Sequence, residues 1–533
     1  MTEPQTATGT AAGRAARVLL RNVRLGSGGP LAHLMIDGGR IAAITPEAPD
    51  ALARTAGEVV DAGGRTVLPG LWDAHVHMVQ WASARRRVDL SGAGSAAEAA
   101  RTMAEAAGAG QRAAGAGQRA ASVGQRAPDE PLIGFGFRDG LWPDRPEPAL
   151  LAWSDGSGQA VALVSNDLHT AWLNQAALHR LGVHGHPTGV LREADCLDAV
   201  ARLSAADPAV VDRWVADALR AAAARGVVGL LDFEYADNVA DWTRRAGRQP
   251  LDTRVACAVY PAYLDQAVSL GLRTGDRLPG TGGMVRMGPL KLFVDGSLNT
   301  RTALCNEPYP GVTAAGQEYG ILQTEPAELR RLMAYAARHG IHSAVHAIGD
   351  RANTIALDAF EEVGCPGRIE HAQLIDRADL PRFARPGLVL GVQPAHAADD
   401  RDIADRHWAG RTERSFAYAD LARAGARLQI GSDAPVSPLD PWPGIAAAVH
   451  RTGADGRPEW HPEQAIGVPD ALAAAAAGRR ALRVGDPGDL VVTEYDPALP
   501  APHDLPAMPV FCTLLAGRFT HRADQEPQPA PAG

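Results

Sequence analysis

The stretch PGLWDAHVH, residues 69–77, is a short apolar run that ends on two histidines one residue apart. Its Pro-Gly pair cuts it off from what precedes, and LWDAHVH has the length of a strand. Alternate residues of a strand face the same side, so His75 and His77 present both imidazoles in one direction and can grip one ion. Seven further runs have strand character: 227–232 (VVGLLD), 254–259 (RVACAV), 288–294 (GPLKLFV), 341–346 (IHSAVH), 368–372 (RIEHA), 388–393 (LVLGVQ) and 428–432 (LQIGS). Helical stretches such as AELRRLMAYAARHG (327–340), stopped by Gly340, lie between them. Strands alternating with helices predict parallel βα units, and eight strands fit an α/β chain closed into a (β/α)8 TIM-type barrel over residues 70–481.

Working outward, the gap between the first two strands is about 150 residues, far beyond a normal connection, and predicts an inserted subdomain at about 80–225. Within it GAGQRAA GAGQRAA SVGQRAP (108–128) repeats a seven-residue unit broken by glycine, with Ala and Val as its apolar residues. That composition reads as a low-complexity surface loop without chemistry. Residues 17–69 and 482–521 are both strand-rich and are expected to pair into one small composite β-domain, with 1–16 a disordered leader and 522–533 a disordered tail.

The composition narrows the function. A hydrophobic fraction of 46% excludes a wholly disordered chain, and 52 basic against 61 acidic residues, net −9, argue against a nucleic-acid binder. No apolar run is long enough to span a membrane, and the start lacks the regions of a signal peptide. Five scattered cysteines fit a reducing cytoplasm. The expected partner is a small-molecule substrate, with no nucleic acid and no membrane, and a homo-oligomer is left open.

One count says more. The 52 basic residues are 51 arginines and a single lysine, Lys291. Codon bias towards arginine accounts for the missing lysines but not for the one that stays. Lys291 lies on the fourth candidate strand, His346 on the fifth, His371 on the sixth and Asp433 just after the eighth. Taken singly, each histidine could be a core residue and Asp433 a helix N-cap. Together with His75 and His77 they put six polar residues at the rim of one barrel, where such folds carry their active sites. Imidazole and carboxylate are the ligands zinc prefers, and two ions close together lower the pKa of a shared water and polarise a carbonyl. A neutral lysine amine can capture carbon dioxide as a carbamate, a long bridging carboxylate; arginine, never deprotonated, cannot.

With these residues in place the chain resembles the amidohydrolase superfamily, and more narrowly its amidohydrolase-3 branch, which includes N-substituted formamide deformylases. The resemblance covers roughly residues 17–520 and rests on PGLWDAHVH (69–77), LHTAWLNQAAL (168–178), PTGVLREA (187–194), KLFVDGSLNTRTA (291–303), VHAIGDRANTIALDAFE (345–361), RIEHAQL (368–374) and GSDAPVSPLDPW (431–442). It implies a distorted (β/α)8 barrel with a β-sandwich built from both termini. It also implies one metal on His75 and His77, a second on His346 and His371, carbamylated Lys291 bridging them, and Asp433 as ligand and general base. The implied cofactors are two divalent ions, zinc by default, with manganese, iron or cobalt fitting the same ligands. The implied reaction is hydrolysis of a C–N bond (amide, N-formyl or related acyl-nitrogen) by a hydroxide between the ions, with Asp433 carrying the proton to the leaving nitrogen. His169 and Arg192 fall near the substrate in that pattern, and His396 in QPAHAADD is a further pocket candidate. Two departures touch the substrate side: MVQWASARRR (78–87) lacks the glycines common after the metal motif, and Asn166-Asp167-Leu168-His169 stands where many relatives have Asp-Gly-His. A lactone, ester or phosphoester hydrolase on the same centre is the alternative. A non-catalytic binding member of the fold is disfavoured because all six ligand positions are intact, and a mononuclear deaminase by the lysine on strand four.

Overall fold

Eight parallel strands form one sheet in chain order: Leu71–Val76, Val227–Asp232, Arg254–Val259, Val285–Phe293, Ser343–Ala347, Gly367–His371, Leu388–Val392 and Leu428–Ile430. In this computed structural model residues 17–47, 50–115, 130–204, 206–312, 316–453, 455–499 and 505–523 are described. The eighth strand returns to the first through a parallel bridge between Val76 and Ala434. Around it the His77 N–H donates to the Ala434 carbonyl and the Asp433 N–H to the His75 carbonyl, both at 2.8 Å. The sheet is thereby a nearly closed barrel, and its closure brings the histidine motif beside the GSDAP segment.

Most residues of the strands are buried, those of Val227–Asp232 and Ser343–Ala347 without a break. Parallel strands covered on both faces require such continuous apolar text. Helices supply the cover. Pro326–Arg338 begins with proline, whose fixed φ suits a first turn, and turns Leu329, Met333 and Ala336 inward at helical spacing. Asp350–Val363 stops at Gly364, which takes the left-handed conformation (φ 72°).

Between the first and second barrel strands stands a separate sheet of Val88–Asp89, Leu132–Phe137, Val161–Ser165, Thr170–Leu173 and Val190–Arg192. Helix Ala96–Gly115 lays Ala96, Ala99, Ala100, Met103 and Ala107 against Leu132, Val161 and Trp172 of that sheet. This corrects one expectation. Residues 108–115 of the glycine-containing repeat are helical rather than loop, because the turns before them are anchored in a core and Ala, Gln and Arg are good helix formers. The rest of the repeat, 116–128, lies outside the described residues.

A third sheet joins the two ends of the chain. Leu490–Thr493 pairs with Thr66–Pro69, and Val18–Leu25 changes partners at a bulge, from Glu58–Asp61 to Thr66–Pro69. Its strands share one apolar cluster of Val18, Leu20, Leu34, Val67, Leu490 and Leu514, among others. Arg254 on the third barrel strand ties this sheet to the barrel through a two-pronged pair with Asp489 (2.6 and 3.0 Å). Among the described residues, no helix is long and apolar enough to cross a membrane.

Candidate metal centre

Asp433 sits three residues past the eighth strand in a left-handed backbone (φ 56°), a conformation that costs a non-glycine residue energy and turns its carboxylate toward the histidines. Its Oδ1 lies 3.5 Å from His75 Nε2 and 3.4 Å from His77 Nε2, and its Oδ2 lies 3.9 Å from His371 Nδ1. Ligand atoms of His75, His371 and Asp433 all fall within 4.8 Å of one another. Lys291 Nζ reaches to 3.5 Å from His75 Nε2. The rings of His346 and His371 meet edge to face at 4.5 Å between centroids. All six residues line one cavity at the C-terminal ends of the barrel strands.

Each of the four histidines but His77 has one ring nitrogen fixed by a partner. His75 donates from Nδ1 to Glu370 Oε2 at 2.8 Å, His371 from Nδ1 to Gln393 Oε1 at 2.9 Å, and His346 from Nε2 to the Gly296 carbonyl at 3.1 Å. The other nitrogen, Nε2 of His75 and His371 and Nδ1 of His346, is the one available to an ion, as metal-binding imidazoles require, and at His75 it faces Lys291 and Asp433. The donor set therefore fits divalent metal: nitrogen and carboxylate oxygen, converging, with three of the four histidines set in their tautomer by a neighbour.

Electrostatics agree with that reading. Burial lowers the His75 pKa to about 4, and burial holds His346 and His371 well below the ordinary histidine range, so all three are neutral donors at neutral pH. For Asp433 burial works upward, but the surrounding histidines outweigh it and bring the carboxyl well below its usual range, His77 being the one whose Nε2, 3.4 Å away, is placed to donate to it. Lys291 is 1% exposed, and burial brings its amine down to about 8 against the pull of Glu370 and Asp433. Phe233 and Phe293 flank its Nζ at 4.4 and 5.1 Å from their centroids.

The substrate-side residues divide. His169 lines the cavity and so does His396, whose buried Nε2 has no hydrogen-bond partner among the described residues. Arg192 does not; it is exposed on the last strand of the inserted sheet, with its backbone paired to Thr170. The alternation of that strand points Arg192 away, and it is the next residue, Glu193, that meets His169. Sequence reading also missed Glu370, Gln393 and Asp295. Asp295 accepts from the backbone N–H groups of Leu304, Ile348 and Gly349 and stands 3.6 Å from His346 Nε2, fixing the loop beyond that ligand. Glu370 precedes His371 directly, and strict strand alternation sends neighbours to opposite sides. The alternation stops here because His371 and Ala372 take positive φ (80° and 43°), so both Glu370 and His371 reach the cluster.

The amidohydrolase family model matches residues 58–521. The chain belongs to the amidohydrolase family. It is a metal-dependent hydrolase acting on carbon–nitrogen bonds. This amidohydrolase is 26% identical over 468 residues to Protein LONG AFTER FAR-RED 3 of Arabidopsis thaliana, covering 78% of this chain and 74% of that one. It is 25% identical over 540 residues to the N-substituted formamide deformylase of Arthrobacter pascens, covering 91% and 94%. Among solved structures, an uncharacterized metal-dependent hydrolase from Pyrococcus horikoshii OT3 superposes with a TM-score of 0.73 at 26% identity, over 91% of this chain and 98% of that one.

Proposed function

We propose that this amidohydrolase cleaves an acyl–nitrogen bond of a small molecule, an amide or N-formyl group, at a centre of two divalent ions. His75, His77 and Asp433 would hold the first ion, His346 and His371 the second, and a carbamate on Lys291 would join them, with zinc the metal these donors favour. The observation that carries the reading is the convergence of four imidazoles, one ionised carboxylate and the sole lysine of the chain on one cavity. Ions held there supply a water of lowered pKa and polarise the carbonyl to be attacked.

The chain's own residues account for the rest. Asp433, kept ionised by its histidine neighbours, accepts the proton that the attacking water gives up. Lys291 meets the requirement for carbamate formation, an amine that is neutral in part near neutral pH, because burial lowers its pKa to about 8. Phe137, Tyr235, Tyr260 and Phe293 give the cavity an aromatic lining, while Asn166, Asp167, His169 and Asn299 give it a polar one. Such a lining suits a compound with an apolar substituent and a hydrogen-bonding acyl head. The formamide deformylase relative supports the N-formyl arm of the proposal. All five cysteines are free and buried, in keeping with a reducing compartment.

The test is a panel of N-formyl compounds, other amides, lactones and esters, run before and after chelation. Turnover of the acyl-nitrogen members that is lost on chelation and regained with added metal is expected. Turnover of lactones or esters with none of amides would replace this reading by the oxygen-ester one.

A further inference from the structure

The part of the cavity that the proposed ligands do not use has polar groups of its own. Past the seventh barrel strand, His396 on helix Pro394–Asp399 and Asp400 directly after it both line the cavity. The Asp400 N–H donates to the His396 carbonyl at 2.8 Å, so the turn between them is helical and both side chains lie on one face. His396 is 4% exposed, and its buried Nε2 has no hydrogen-bond partner among the described residues. Asn299, on the loop after the fourth barrel strand, lines the same cavity with its Oδ1 likewise unpartnered. That oxygen takes the space a side chain at Gly140 would fill. A Cβ there would stand 2.5 Å from Oδ1 and 3.6 Å from Cδ1 of Ile403, on the helix after Asp400. Buried polar atoms are ordinarily paired, so unpaired ones lining a cavity mark where a ligand completes them.

The charges at this end do not balance. Arg138 Nη2 is engaged by Asp399 Oδ2 at 3.0 Å, and His169 Nδ1 by Glu193 Oε2 at 2.6 Å. Asp167 accepts from Ser165 Oγ at 2.6 Å and from Ser297 Oγ at 3.1 Å, neutral donors that leave its charge in place. Asp400 has no ion-pair partner among the described residues, Arg138 acting on it from farther off. Burial, Asp399 and Asp167 push its carboxyl up to about 6 against His396 and Arg138. None of these neighbours is a proposed metal ligand. A carboxylate so short of positive charge gains most from a cation that also donates hydrogen bonds.

We infer that Asp400, His396 and Asn299 form a subsite for a protonated amine on the substrate, whose acyl–nitrogen bond lies at the metal centre. The inference rests on the acyl-nitrogen reading above and names a substrate class within it, the mono-N-acylated diamines. An ammonium offers three N–H donors, and the subsite offers a carboxylate oxygen, an imidazole nitrogen and an amide oxygen to accept them. His396 then carries its proton on Nδ1. The aromatic walls of the cavity suit the hydrocarbon that joins the two ends of such a compound. The positive charge of the proposed metal centre repels the ammonium, so the substrate binds in one direction only.

The experiment compares formamides of graded chain length in matched sets. One set is mono-N-formylated α,ω-diamines; the others carry a methyl group or a carboxylate in place of the ammonium. In wild type, kcat/KM for the best ammonium member should exceed that of its counterparts by roughly 10–100-fold, the worth of a hydrogen bond to a charged group. Asp400→Asn, nearly isosteric, should lose that preference chiefly through KM at wild-type metal content, and His396→Gln should lose part of it. A second readout needs no turnover. Calorimetry on metal-free protein should show alkylammonium chains binding wild type more tightly than the matching alcohols, a difference absent in Asp400→Asn. Methyl or carboxylate members that equal the ammonium ones in wild type, or a preference that Asp400→Asn keeps in full, would overturn the inference. If wild type hydrolyses no acyl-nitrogen compound yet binds alkylammonium through Asp400, the reading beneath has failed and the subsite stands. Alkylammonium bound no better than the alcohols would mean that the subsite itself has failed.

Discussion

Lys291 is buried between Phe233 and Phe293, its Nζ 3.5 Å from His75 Nε2. An ammonium there is costly, and the proposed carbamate between two cations would avoid that cost. Lys291→Arg should accordingly be almost inactive although it keeps a positive charge, since guanidinium can neither lose a proton nor bridge cations. Lys291→Ala should regain some turnover when acetate or propionate is supplied to take the bridging position; full activity of Lys291→Arg would refute the carbamate. Asp433→Asn is nearly isosteric and should keep the fold while hydrolysis drops by roughly 10²–10⁴-fold. Near-normal turnover at full metal content would take Asp433 out of the mechanism. The four histidines and Asp433 were legible in the sequence because each is a metal-binding residue type at or just past a strand end, and Lys291 because it is the only lysine in the chain. Their supports were not. Glu370 anchors a histidine 295 residues away, and a glutamate beside a histidine on a strand reads as pointing elsewhere.

At the scale of elements, the site depends on how tightly the eighth strand closes on the first. Gly431 makes that approach feasible, for a Cβ there would stand 2.5 Å from the His75 backbone nitrogen. Gly431→Ala should push the two segments apart, costing on the order of 1–3 kcal/mol of stability and lowering activity more than a surface change of equal cost. Thermal unfolding together with metal content checks this, and an Ala variant with unchanged midpoint and turnover would show that the closure is slack. The eight barrel strands were readable as apolar runs because strands buried on both faces leave continuous apolar text. The helical start of the 108–128 repeat was not readable. Its glycines signal a break locally, whereas its helical state is decided by Met103 and Ala107 docking on the inserted sheet.

Over the whole molecule, the first and last strands form one sheet and the barrel rests on it through the Arg254–Asp489 pair. Removing residues from 490 onward would strip Leu490, Val492 and Leu514 from the cluster that also holds Val18, Leu34 and Val67. We expect such a truncation to give no soluble chain, and soluble, active protein would show that the terminal sheet is an appendage. The claim on which the account turns is that the cavity binds two ions. The direct measurement is elemental analysis of purified protein, paired with a titration of metal back into chelated protein against turnover. About two divalent ions per chain are expected, with activity returning in proportion to the second. Full activity with one ion per chain, or with none, would contradict it.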